Sequence, residues 1–170
     1  VAMDAEGVLA RITGVAQALG VDGAPLHDRL AAEFAELEAL RAARAQSGAA
    51  PLRAMFIISA AGGRINAAGQ DTSADGIIRL AGAENALQGF SGFRQINDEA
   101  VTLAAPDVIL MMDRSGDHAL SDAQILSHPA LSLTPAAQAG RIVRMDGMFL
   151  LGFGPRTPLA ARALMAALED

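Results

Sequence analysis

The 170-residue sequence contains no cysteine, lysine, tryptophan or tyrosine. Without cysteine there is no disulfide framework, no thiolate nucleophile and no cysteine-ligated metal, an absence that fits the cytoplasm and the periplasm equally. Without lysine a phosphate-cradling P-loop is excluded, because that motif ends in Lys followed by Ser or Thr. All 13 cationic side chains are therefore arginines, which are planar and able to grip carboxylates with two parallel hydrogen bonds. The net charge of −6 is spread along the chain and leaves no basic footprint for nucleic acid. Apolar residues make up 52% of the chain, yet no run is long enough to span a membrane, so membrane insertion is not expected. The opening segment "VAMDAEGVLA" lacks a charged stretch followed by an apolar one and is not an intact signal peptide. A start at Val1 is expected of a processed product or of part of a longer polypeptide.

What is present reads as two helices followed by an alternation of strands and helices. Asp4 caps a helix over 5–19, with Val8, Leu9, Ile12, Val15, Ala16 and Leu19 at helical spacing. A longer helix over 25–46 begins at Pro25 and carries a stripe of Leu26, Leu30, Phe34, Leu37 and Leu40. "SGAAP" at 47–51 breaks the chain and marks the best domain boundary, dividing a helical segment 1–50 from an α/β unit 51–170. Beyond it, "RAMFIIS" (53–59) and "DVILMM" (107–112) are buried strands. Thr72 or Ser73, Asn97 and Ser121 open helices. "RIVRM" (141–145) and "MFLLG" (148–152) read as strands around an Asp146-Gly147 turn, with the Met residues as core filling. A last helix follows, with Thr157 as cap and Pro158 at its first position. Buried strands without strict alternation signal a mostly parallel sheet covered on both faces. Ligands of such sheets bind beyond the carboxyl ends of the strands, which directs attention to 60–72, 113–118 and 152–156.

The stretch "AGGRINAAGQDTSADGII" lies at the first of these places. About ten residues separate strand from helix, too many for a dinucleotide fingerprint, and the loop is long enough either to wrap a ligand larger than a phosphate or simply to reverse the chain. Arg64 and Arg114 each follow a strand's carboxyl end. They are either two guanidinium groups converging on an anionic ligand that carries carboxylates, or solvated loop arginines. His27 and His128 read as solvated caps at helix ends. His118, in "DRSGDHALSD", lies on the ligand side and is either a metal or ligand contact or neither. That segment does not match a calcium loop, and no catalytic constellation or metal site emerges elsewhere.

Three longer stretches carry a resemblance: "AAGQDTSADGIIRLAGAENAL", "INDEAVTLAAPDVILMM" and "RIVRMDGMFLLGFGPRTPLAARAL". In order and spacing they resemble the carboxy-terminal lobe of periplasmic haem-binding proteins of ABC transporters, over about residues 52–170. The two preceding helices resemble the segment that joins that family's two lobes. The resemblance implies a Rossmann-like α/β lobe with a mostly parallel sheet covered by helices, preceded by a long joining helix. It also implies a non-enzymatic, periplasmic protein that captures haem between two lobes and passes it to a membrane permease. The family's amino-terminal lobe, which supplies a tyrosine ligand to the haem iron, has no counterpart in this chain. By resemblance, Gly62, Gly63, Arg64, Ile65 and Asn66 form the cleft-facing loop, with close backbone approach at the glycines and Arg64 meeting a propionate. Relatives often carry His-Gly-Gly-Gly there, whereas Ala61 stands before Gly62. Asp113 and Arg114 follow the next cleft-facing strand, and Phe153 or Met112 offers an apolar wall. Glu99 matches an acidic position that docks on permease arginines; equally, it suits the first turn of a helix. The competing expectations are a siderophore or cobalamin binder of the same architecture, and a stand-alone α/β interaction module.

Overall fold

In the computed structural model, described for residues 2–113 and 120–169, the chain forms a six-stranded sheet between two layers of helices. Helix α1 (Ala5–Leu19) opens at Asp4, whose carboxylate accepts from the Gly7 amide at 2.8 Å. Helix α2 (Ala24–Gln46) turns back against it. Of the two apolar stripes, Val8, Ala16, Leu30, Phe34 and Leu37 are buried, while Val15, Leu19 and Leu40 remain exposed. Among the described residues no helix is long and apolar enough to cross a membrane.

Strand β1 (Arg53–Ser59) lies at the centre of the sheet and pairs in parallel with β5 (Val108–Asp113), which pairs in parallel with β6 (Ile142–Asp146). The continuous apolar runs of β1 and β5 follow from burial on both faces, since side chains alternate across a strand. Ala54, Phe56, Val108 and Leu110 enter one core; Met55, Ile57, Ile109 and Met111 enter the other. The first core holds α1, α2, α3 (Ser73–Leu80) and the closing helix α8 (Thr157–Ala167). The second holds α4 (Asp98–Ala104), α5 (Asp122–Leu126) and α6 (Pro135–Gln138). Leu30 and Leu37 of α2 thus share a core with Phe56 of the sheet.

The structure departs from the sequence reading in four places. The segment 60–72 is not one wrapping loop, because Ile65–Ala68 forms strand β2, running antiparallel to β1. The stretch "ENALQGFSGF" is not wholly loop: Glu84–Asn85 forms β3, parallel to β1, and β4 (Phe93–Ile96) begins at Phe93 and pairs antiparallel with β2. Residues 148–152 do not form a strand. Gly147–Leu151 is helix α7, opened by the Asp146 carboxylate, which accepts from the Phe149 amide at 2.7 Å and so replaces the expected hairpin turn. Finally, α8 is capped at Arg156 rather than Thr157, which puts Pro158 at its second position. Along the sheet the order is β4-β2-β1-β5-β6, with β3 beside the amino-terminal end of β1.

Candidate ligand-binding edge and family

The parallel registers Ile57↔Met111 and Asp113↔Asp146 bring the carboxyl ends of β1, β5 and β6 to one edge. Strand β4 ends there too, since Ile96 pairs with Ile65 at the start of β2. Four strand spacings separate β4 from β6, so the edge is roughly 19 Å wide, enough for side chains from several strands to meet one ligand.

The tip between β1 and β2 stands at the middle of this edge. Ala61–Gly63 makes a single tight turn closed by the Arg64 amide donating to the Ala61 carbonyl at 3.2 Å. Gly62 and Gly63 have φ of 63° and 75° in succession, a path that other residues adopt only at a cost. Both glycines and Arg64 are exposed, and among the described residues a Cβ built on either glycine meets nothing within 4 Å. Six other arginines pair with carboxylates, among them Arg44 with Glu169 and Arg162 with Glu36 at 2.9 Å. Among the described residues Arg64 has no such partner. Asn66, half-buried in β2, is paired in register with Ser59 and Gln95.

Asp113 ends β5, exposed beside Asp146. As an ionised carboxylate it only accepts hydrogen bonds, so it suits a donor or an arginine on the ligand side rather than a ligand carboxylate. Glu99 is exposed in the first turn of α4, capped by Asn97, and sits at the β4 end of the same edge. Gly62, Gly63, Arg64, Asn66, Asp113 and Glu99 thus share one side of the sheet. Arg114 and His118 lie outside the described residues. Among the described residues no group of three or more His, Asp or Glu is placed to hold a metal ion.

Three expectations are corrected at this edge. Phe153 offers no apolar wall: it is 2% exposed, its ring tucked against Gly76 and its carbonyl accepting from Arg11 at 2.7 Å. Residues 152–156 follow a helix rather than a strand, because β6 ends at Asp146. Met148 is not core filling but 76% exposed in the first turn of α7, where it presents a thioether at the edge. The Arg141 side chain donates to the Leu168 carbonyl at 3.0 Å, fixing the end of α8 beside the amino end of β6. The start of α8 therefore lies at the carboxyl edge, and with it Arg156, whose guanidinium stacks 5.7 Å from the Phe149 ring.

His128 is a residue that the sequence reading misplaced. It is not a solvated cap: it is 9% exposed, and its Nε2 lies 3.1 Å from the Gly63 carbonyl at the tip. The local signal, a histidine before proline at a helix end, describes only its own turn. Its partner lies 65 residues away.

A family model described as periplasmic binding protein matches residues 4–148. The chain belongs to the periplasmic binding protein family. Among solved structures, this periplasmic binding protein chain is 44% identical to the periplasmic heme-binding protein BhuT in complex with two hemes, at a TM-score of 0.93. That match covers 100% of this chain and 64% of BhuT. It is 31% identical to the periplasmic heme-binding protein RhuT from Roseiflexus sp. RS-1 in apo form, at a TM-score of 0.87, covering 99% of this chain and 64% of RhuT. For the periplasmic heme-binding protein HutB of Vibrio cholerae the identity is 27% and the TM-score 0.84, over 99% of this chain and 65% of HutB. The chain thus spans just under two thirds of the length of these relatives. Comparison with curated proteins gives no match.

Proposed function

We propose that this chain forms one wall of a haem-binding cleft in the periplasmic substrate-binding component of an ABC importer. The observation that carries the reading is the 44% identity, over the whole chain, to a protein described as holding two hemes. Residues 1–50 then serve as the helical segment joining two lobes, and 51–170 as the carboxy-terminal lobe. The protein performs no catalysis: it captures haem on the carboxyl edge of the sheet and hands it to the permease.

The chemistry of the edge supports this role. Haem offers two propionates and broad apolar faces. Arg64, exposed and without a carboxylate partner among the described residues, supplies a cation for a propionate, and the glycine tip lets the backbone approach the ligand closely. The exposed Met148 replaces Phe153 as the apolar contact, with Met112 half-buried behind it against Gly147. Closure over the ligand would exclude water from the porphyrin face and strengthen the arginine contact. Asp113 ends the next strand, and Arg114 follows it in sequence. With no tyrosine in this chain, its own residues offer the iron no phenolate.

Hemin titration of the protein in its full encoded length, followed in the Soret region, tests the reading. A saturable Soret shift is expected; no shift, or a preference for a siderophore or cobalamin, overturns it. Arg64→Ala should weaken binding by about tenfold, the worth of one partly wet, charge-assisted hydrogen bond. Glu99 is proposed to dock on permease arginines from the β4 end of the edge. Glu99→Arg should leave hemin affinity unchanged and abolish stimulation of the transporter's ATPase in reconstituted vesicles. Retained stimulation would return Glu99 to favouring the start of α4.

A further inference from the structure

The two ring nitrogens of His128 have different partners. Nδ1 lies 3.2 Å from the Ala130 amide nitrogen and 3.5 Å from that of Leu131. A backbone N–H only donates, so Nδ1 is the unprotonated acceptor and the ring proton sits on Nε2. Nε2 therefore donates to the Gly63 carbonyl at 3.1 Å. The Nδ1 side is fixed to the turn Leu131–Leu133, whose Leu131 is fully buried in the second core beside Ala130. The Nε2 side reaches an exposed tip with two consecutive glycines in the left-handed region, where among the described residues nothing lies within 4 Å of a built Cβ.

Such a tip has little of its own to hold one peptide orientation. Glycine adopts positive and negative φ with similar ease, and the tip's own closing bond is the Arg64 amide to Ala61. Turning the Gly63–Arg64 peptide would re-aim the Arg64 side chain that follows it. The Gly63 carbonyl is half of that peptide, and a buried imidazole holds it from the core side.

We propose that His128 is a positioning residue for ligand capture, with its ring split between two tasks. Nδ1 caps the buried turn at Ala130, and Nε2 latches the Gly63 carbonyl so that Arg64 is presented to an anionic ligand in one orientation. The ligand part of this statement rests on the haem reading above; the latch itself does not.

Two substitutions separate the tasks, because an asparagine amide reaches about as far as Nδ1 and a glutamine amide about as far as Nε2. His128→Asn keeps the cap and drops the latch. Hemin affinity should fall about five- to tenfold, the worth of one hydrogen bond to the loop, with the urea midpoint close to that of the unsubstituted protein. His128→Gln keeps the latch and drops the cap, so the midpoint should fall while affinity stays within about twofold. Equal affinity of His128→Asn and the unsubstituted protein, or equal losses in both variants, overturns the proposal. A ligand-free readout keeps the latch testable even where hemin does not bind. The imidazole ¹⁵N spectrum should show the Nε2–H tautomer, and the Gly63 and Arg64 amide resonances should move in His128→Asn but not in His128→Gln. An Nδ1–H tautomer, or amides that do not respond, overturns it.

Discussion

Phe56→Ala is expected to lower the stability of the fold by about 3–5 kcal/mol, read as a drop in the urea midpoint at unchanged slope. Phe56 is fully buried at the centre of β1, in the core that also contains Leu30 of α2, Ile77 of α3 and Leu164 of α8. Its ring meets that of Phe93 edge to face, with centroids 6.5 Å apart and planes at 71°, so truncation also removes a contact to the edge strand β4. A cavity there is lined by helices from both ends of the chain and cannot be filled by moving one of them. Stability of a domain this size is about 5–15 kcal/mol, so the loss would be a large share of the total. Phe56→Leu keeps most of the volume and should cost about 1 kcal/mol. Equal losses for the two variants would mean that packing volume is not what the position contributes.

Asn85→Ala is expected to cost about 2–4 kcal/mol although it removes no apolar surface of note, because it strands buried polar groups. The Asn85 amide nitrogen donates to the Asp75 carboxylate at 3.1 Å and to the Ala68 carbonyl at 3.3 Å, and its oxygen accepts from the Leu87 amide at 3.0 Å. Asn85 is 3% exposed and Asp75 is 7% exposed, so water is poorly placed to replace these bonds. One side chain therefore ties β2, α3 and the segment after β3 together, toward the end of the sheet away from the candidate edge. Asp75 keeps a second partner in Arg79 at 3.3 Å, which limits the loss. A double-mutant cycle with Asp75→Ala, followed by urea unfolding, should show strong non-additivity. Additive losses would mean that the two residues act independently.

The parts of the fold that were legible share a physical property: the information lay within a few residues. Thr72, Asn97 and Ser121 each accept from an amide three residues on, and Ser121 completes a reciprocal pair with Gln124. Such caps depend on local geometry alone, so sequence order reveals them. The short apolar runs were ambiguous. "MFLLG" fits a buried strand or one turn of helix equally well, and the Asp146 cap and the packing of Gly147 against Met112 decide for helix. Strands β2 and β4 escaped notice because they are short and each is defined by the other, with Ile65 paired to Ile96 across 31 positions.

The candidate edge divides in the same way. The place of Gly62, Gly63 and Arg64 at the carboxyl edge was legible because a glycine pair after a buried strand is a local signature of a turn at the strand's carboxyl end. Glu99 was legible as a first-turn acid, but its place on the same edge as Arg64 follows only from the β2–β4 register. Phe153 was misjudged because a large apolar residue near a strand reads alike whether it faces a ligand or the core; contact with Gly76 and Arg11 puts it inside.

By itself, then, the sequence determined the class of this protein: two helices, an α/β unit with doubly buried strands, an all-arginine cation set, no cysteine chemistry, and the motifs of a periplasmic binding protein. Helical periodicity, capping and strand burial are short-range consequences of side-chain chemistry, and they survive reading one residue at a time. Only the tertiary structure decided which residues meet. It exposed Met148, buried Phe153, and set His128 beneath Gly63. Those outcomes depend on contacts between residues tens of positions apart, whose pairing is selected by packing of the whole core.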